Sequence, residues 1–407
     1  MSAASTIRKY LDSQAPAMLA LVEELVRIDS YAAVRDGVDA VGNVLCRELE
    51  AAGYTTERAR GRRLPPEQRW LEEFMLPGLD FERLADHRVA RKRGSGRGRA
   101  LILGDMDTAF LPGGPQRFPF RVEGARAYGP GIADMKGGLT VGVWALRALA
   151  ATGVEAPGET VCVFSADEQA GSLSARHVIE PAARQADWAF CLECARDGGN
   201  LMGSRAQIGV ARLDVEGREA HAGSAYAKGV NAIEAIARKI TAIHALTDPA
   251  REIFLNVGTV SGGWRRSVVP GHASITIDIR TSGPDTWAEV EAALRRIAAR
   301  DDVPGSKPSL LIATHRPGVP WTKHTDRLIA IAREAGGELG FDFGVARSPA
   351  AGSSAFVGPL DVPCLDGMGP TGGGLMTDEE HVVIPTLTER AALLATILHK
   401  LATGAWQ

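Results

Sequence analysis

The sequence predicts an α/β fold: a main α/β domain with a central, mostly parallel sheet, interrupted by a smaller α+β domain. Three observations carry this reading. Short apolar runs alternate with helical periodicities up to about Ala206. Beyond it, strands read as half-buried alternation and helices as amphipathic on one face. From about Trp321 the first pattern resumes. At 407 residues the chain is too long for one compact core. The expected boundaries are 1–205 and 317–407 for the main domain and 206–316 for the inserted one, which is within the usual domain size.

In order, apolar residues at helical spacing run from Ile7 to Ile28, and a second helix covers Val38 to Ala52 and stops at Gly53. Arg60–Gly98 is rich in arginine and proline but carries Trp70, Leu71, Phe74, Met75 and Phe81, which is too apolar for a linker. It reads as a partly ordered insertion over a cleft. Ala100–Gly104, Glu159–Ala166 and Trp188–Leu192 read as buried strands, with helices at Met135–Ala151 and Ser172–Ala186 between them. In the inserted domain, Gln207–Val215 and Ala273–Arg280 read as strands, and Asn231–Leu246 and Thr286–Arg300 as helices. The main domain closes with a helix over His324–Ala335, a Gly/Ser-rich loop at Ala350–Ser354 and a helix over Pro385–Thr403.

Composition excludes several classes. Hydrophobic content of 45% and charged content of 23% are those of a globular protein, and a net charge of −3 gives no reason to expect nucleic acid or an anionic membrane as partner. Residues 1–20 lack the apolar core of a signal peptide, and no run is apolar for long enough to span a bilayer. The five cysteines are odd in number and mostly set in apolar runs, as in a cytoplasmic protein with reduced thiols. Cys191 and Cys194 have CxxC spacing but no second pair.

The chemistry gathers around two stretches. In ALILGDMDTAF, an apolar strand runs into Asp105 and Asp107, whose i, i+2 spacing points both carboxylates to one side. In GPGIADMKGGL, glycines and a proline deliver Asp134 just before a helix. Asp167-Glu168-Gln169 and Glu193 follow at later strand ends, and His221 lies in the inserted domain. Carboxylates gathered where strands run into helices suit a cation site or acid–base chemistry.

Taken in order, YGPGIADMKGG, SADEQAGS and the AHAG segment resemble the M20 family of metallopeptidases and amidohydrolases, most closely its glutamate-carboxypeptidase branch. The resemblance covers nearly the whole chain. It implies a catalytic outer domain and an inserted, ferredoxin-like domain that closes over substrate and forms a homodimer through 206–316. It also implies a site of two zinc ions, from which this sequence departs three times. Asp105 stands in place of a histidine, Gln169 in place of the second Glu of a pair, and Leu375 where a C-terminal histidine is expected. His381 is a further candidate for that histidine, although the family has an aromatic there. Retained are the bridging position Asp134, the acidic ligand position Glu193 and the base position Glu168.

Two of the three losses fall on one ion, so a single divalent metal per chain is expected, held by Asp105, Asp134 and Glu193 with Gln169 as a weak neutral ligand. An all-carboxylate set favours Mn²⁺ or Mg²⁺, with Zn²⁺ or Fe²⁺ still open. The resemblance gives Glu168 the role of general base, Asp107 that of orienting a ligand or Glu168, and His221 that of bonding a polar group of the substrate. Arg280 matches a position that binds a substrate carboxylate, and a bidentate fork suits that group. Trp264, Arg265 and Arg266 form a stack-and-pair surface for a flat anion, and Ser354 replaces an aspartate of the family's substrate loop. The expected activity is hydrolysis of a C–N bond in a small carboxylate-bearing substrate, with deamination of an aromatic amino acid such as 5-nitroanthranilate as the specific reading. An N-acyl amino acid amidase or carboxypeptidase and a non-catalytic binding protein on the same scaffold remain as alternatives.

Overall fold

The structure, a computed structural model, describes residues 1–75, 79–195 and 197–406. The chain forms two compact units. One comprises Met1–Ser204, Pro320–Ser348 and Gly352–Gln407; the other comprises Arg205–Val319 with Pro349–Ala351.

The larger unit is built on a six-stranded sheet in the order Thr55–Ala59, His87–Arg93, Glu159–Ser165, Arg99–Asp105, Trp188–Cys191, Cys364–Leu365. The first two pairings are antiparallel and the other three parallel. In Arg99–Asp105, Ala100 and Ile102 pack on one face with the helices Gly137–Thr152 and Pro385–Ala402, while Leu101 and Leu103 pack on the other with the helix Arg176–Ala183. Burial on both faces is why this strand reads as a continuous apolar run rather than as alternation.

Three features differ from expectation. The N-terminal periodicity forms two helices, Ala3–Ser13 and Ala15–Val26, because Pro16 falls where it can only open a new helix. The stretch 60–98 contributes the sheet strand His87–Arg93, sandwiched between two antiparallel neighbours. Its charge disguised it: Arg88 is 1% exposed and donates to Asp39 at 2.7 Å and to the Asp86 carbonyl at 2.7 Å. The rest of the stretch carries the short helix Trp70–Met75, tied down by Arg63 and the Leu64 N–H donating to Glu72; residues 76–78 lie outside the described residues.

The smaller unit runs strand–helix–strand–strand–helix–strand and forms an antiparallel sheet in the order Phe254–Gly262, His272–Thr281, Gln207–Glu216, Lys307–Arg316. The helices Ala232–His244 and Pro284–Ala298 bury Ile236, Ile243, Val290 and Leu294 against Ile275, Ile277 and Ile279. The edge strand Phe254–Gly262 is mostly exposed and contains two glycines, so it carries no apolar signal in the sequence.

Candidate metal centre

Asp105 ends its strand, and its parallel neighbour in register is Ser165 at the end of Glu159–Ser165. Residues in register on adjacent parallel strands share a face, and the Ser165 hydroxyl donates to Asp105 Oδ1 at 2.8 Å. Ser353, in the turn Ser353–Phe356, donates to the same oxygen at 2.7 Å. Asp105 is 1% exposed, and its Oδ2 is buried without a hydrogen-bond partner among the described residues.

Two residues on, Asp107 turns to the main chain of the next strand end. Its Oδ1 accepts from the Glu168 N–H and its Oδ2 from the Gln169 N–H, both at 2.9 Å. It therefore sets where Glu168 stands. Asp167, beside it, accepts from the Ser174 N–H at 2.7 Å, and the Ser174 hydroxyl meets His87 Nε2 at 3.1 Å. His87 Nδ1 accepts from the Ala166 N–H at 3.1 Å, so Nε2 carries the proton of the neutral ring. The whole Asp167–Gln169 turn is thus pinned from beneath.

Glu193 follows the strand Trp188–Cys191, and its main chain is held between two glycines. A Cβ at Gly138, in the first turn of the helix Gly137–Thr152, would collide with the Leu192 carbonyl oxygen. Gly369 donates its N–H to the Glu193 carbonyl at 2.8 Å, and a Cβ there would also lie 2.8 Å from that oxygen. Gly138, the second glycine of DMKGG, is therefore a close-approach requirement that lets the main chain before Glu193 pass beside the helix.

Asp105, Glu168 and Glu193 converge, each offering an oxygen within 4.8 Å of the others. Asp134 stands outside that trio; its Oδ1 accepts from Gln169 Nε2 at 3.2 Å. The turn before it needs Gly131 at φ +70°, where a Cβ would strike Thr108. Burial pushes the carboxyls of Asp105, Asp107 and Asp134 well above the usual range, and the neighbouring Glu168 and, for Asp105 and Asp134, Glu193 push them further. Crowded carboxylates with an unpartnered buried oxygen call for a countercharge, and an all-oxygen set suits a hard divalent cation. The residues present fit a metal ion.

Sequence reasoning missed Ser165, Ser353 and Glu380. Only the strand register could have pointed to the first. Leu375 packs against the main core, and His381 lies tilted against Tyr128, 5.3 Å between ring centroids, with Nδ1 2.9 Å from the Glu379 carbonyl. Ser354 is fully buried and donates to Asp366 at 2.5 Å. Cys191 and Cys194 are both buried as thiols.

The remaining candidates belong to the smaller unit. His221 Nδ1 accepts from the N–H groups of Gly223 and Ser224, both at 3.1 Å. Two donors on Nδ1 leave the proton on Nε2, so the exposed ring edge is a hydrogen-bond donor. Arg280 donates through Nε to Asp278 at 2.9 Å and through Nη1 to the Pro349 carbonyl at 3.1 Å. Trp264 is 68% exposed and donates to Glu219 at 2.9 Å, with Arg265 and Arg266 exposed beside it.

Residues 101–400 match the profile of peptidase family M20/M25/M40. Carboxypeptidase G2 of Pseudomonas sp. (strain RS-16) is 28% identical over 395 residues, 96% of this chain and 90% of that protein. Acetylornithine deacetylase of Myxococcus xanthus is 28% identical over 307 residues, 70% of this chain and 73% of that one. Among solved structures, a tripeptidase from Staphylococcus aureus has a TM-score of 0.77 at 18% identity, covering 95% of this chain and 98% of its own. A dinuclear metal-binding M20 peptidase from Bacillus subtilis has a TM-score of 0.70 at 16% identity, covering 96% and 99%. The two structural likenesses concern the fold.

Proposed function

The chain belongs to peptidase family M20/M25/M40 and is a metal-dependent hydrolase acting on C–N bonds; from that premise we propose that it cleaves such a bond in a small, carboxylate-bearing molecule with one divalent cation per chain. The observation that carries this is the convergence of Asp105, Glu168 and Glu193 beside a Gln169 whose amide donates to Asp134. Gln169 brings no charge toward a second ion, and Leu375 brings no ligand. Asp105 and Glu193, with Asp134, would hold the cation, Mn²⁺ or Mg²⁺ in preference to Zn²⁺ or Fe²⁺.

When bound, such a cation lowers the pKa of water and neutralises the carboxylates. Glu168, fixed through its main chain by Asp107, takes the proton of the attacking water and returns it to the departing nitrogen. His221 supplies Nε2–H to a developing negative oxygen of the substrate. Arg280 pairs with the substrate carboxylate, and Trp264, Arg265 and Arg266 favour a flat, anionic molecule. The finer reading is deamination of an electron-poor aromatic amino acid such as 5-nitroanthranilate, whose ring accepts attack without a second metal. The 28% identity to carboxypeptidase G2 across 96% of the chain favours a second reading, a carboxypeptidase-type peptidase or N-acyl amino acid amidase that releases an amino acid. The smaller unit would form the homodimer contact.

Metal content per chain by mass spectrometry, followed by assay on metal restoration, tests the proposal. One Mn²⁺-like ion and ammonia release from aromatic amino acids support the first reading. One ion with amino acid release supports the second. Two zinc ions per chain overturn the single-cation site, and a protein that takes up no metal overturns the hydrolytic reading of this site.

A further inference from the structure

Asp105 is held by a pair of hydroxyls that come from distant parts of the chain. Ser165 reaches it because the two parallel strands end in register, and Ser353 because the turn Ser353–Phe356 packs at the same strand end. Both serines are 1% exposed, and both donate to Oδ1, at 2.8 and 2.7 Å. A carboxylate oxygen has two lone pairs in the plane of the group, and two hydroxyl donors occupy them. Oδ1 is thereby saturated, while Oδ2 is buried with no hydrogen-bond partner among the described residues. The carboxylate's rotation is fixed by the same two bonds.

We propose that Ser165 and Ser353 are positioning residues that commit Asp105 to offering one oxygen, Oδ2, to a hard divalent cation. The inference rests on the metal reading of the proposed function and concerns how this chain makes a carboxylate serve there. A histidine ligand would need an acceptor for its second ring N–H, whereas a carboxylate ligand needs donors for its second oxygen. Two buried serine hydroxyls supply donors. Without them Oδ1 would be a second buried, unsatisfied oxygen, free to rotate toward the cation or toward Glu168 and Glu193, at a cost in affinity.

The test is Mn²⁺ binding, followed by the electron paramagnetic resonance signal of free Mn²⁺, for the wild type and for Ser165→Ala, Ser353→Ala and Ser353→Thr. The unfolding midpoint of each metal-free protein is measured alongside. Each alanine variant is expected to bind Mn²⁺ about 10–100-fold more weakly. Ser353→Thr, which keeps the hydroxyl, should stay closer to the wild type than Ser353→Ala, and the bound Mn²⁺ spectrum should change only in the alanine variants. Wild-type affinity in both alanine variants overturns the proposal, even where their metal-free unfolding midpoints fall. Equal losses in Ser353→Ala and Ser353→Thr overturn it as well, since the hydroxyl would not be the cause. No Mn²⁺ bound by the wild type overturns the metal site itself, and this proposal with it.

Discussion

Glu380 caps the turn that carries Asp134 across 246 positions of sequence. Its Oε1 accepts from the N–H of Ala133 at 2.9 Å and of Asp134 at 3.1 Å, and its Oε2 accepts from the Met376 N–H at 3.0 Å. The residue is 1% exposed, and burial raises its carboxyl above the usual range while those three N–H groups pull it back. Lys136, two residues after Asp134, is also buried, donates to the Ile28 carbonyl at 2.8 Å, and is pushed down to about 7 by desolvation against the pull of Asp29 and Glu380.

Replacing Glu380 by alanine strips an acceptor from the N–H groups of Ala133 and Asp134 in the buried turn, and from that of the exposed Met376, where water can take its place. At roughly 1–3 kcal/mol for each unsatisfied buried group, the two in the turn should cost at least about 2 kcal/mol. Calorimetry on Glu380→Ala should show a midpoint lowered by several degrees. An unchanged midpoint would mean water replaces the carboxylate at no cost, and the cap is not what orders the turn.

Glu168→Gln keeps the shape and the main-chain bonds to Asp107 but removes the proton acceptor. Turnover should fall at least about 10²-fold, the lower end for a general base, while metal content and unfolding midpoint stay near wild type. Turnover close to that of the wild type would remove Glu168 from the base role.

His315, in the strand Lys307–Arg316, is held down to about 3 by burial, with Arg316 and Arg280 adding like charge, and its Nδ1 has no hydrogen-bond partner among the described residues. A folded pKa below the unfolded 6.5 means the unfolded chain binds the extra proton. The stability this neutral ring permits is full above about 6.5 and is lost as pH falls toward about 3. The slope is about 1.4 kcal/mol per pH unit within that window. Denaturant unfolding of His315→Gln from pH 7 to pH 4 should lose less stability than the wild type over the same range. Parallel curves would refute the assignment.

Lys239 is fully buried, and its ammonium donates to the carbonyls of Ile297, Ala298 and Arg300 at 3.0, 3.0 and 2.7 Å and to Asp302 at 3.0 Å. It satisfies the C-terminal end of the helix Pro284–Ala298, where a positive charge is also favoured. Lys239→Met should destabilise the smaller unit by about 3–5 kcal/mol, because it leaves Asp302 and three carbonyls without their donor. Hydrogen exchange in that helix is the measurement, and unchanged protection would show the cap to be dispensable.

Helical spacing, apolar runs and turn residues mark out by themselves the strand Arg99–Asp105, the helix Gly137–Thr152, the closing helix Pro385–Ala402 and the glycine turn before Asp134. Each is a local consequence of which face is buried and which backbone angles are allowed, and periodicity records both. The acidic residues at the strand ends were also visible, since an apolar run that stops at a carboxylate is a local event. His87–Arg93 was not, because its buried Arg88 is paid for by Asp39, a partner 49 positions away. Nor were the two serines on Asp105 or the carboxylate of Glu380 under Asp134, and the hold of Asp107 on Glu168, expected from the family resemblance, runs through a main-chain N–H that the sequence alone does not single out. Those bonds join residues 60 to 248 positions apart, and their partners are chosen by strand order and register. A hydrogen bond depends on ångström distances that only the packed chain sets, so the chemistry of the site was written in the sequence while its geometry was decided by the fold.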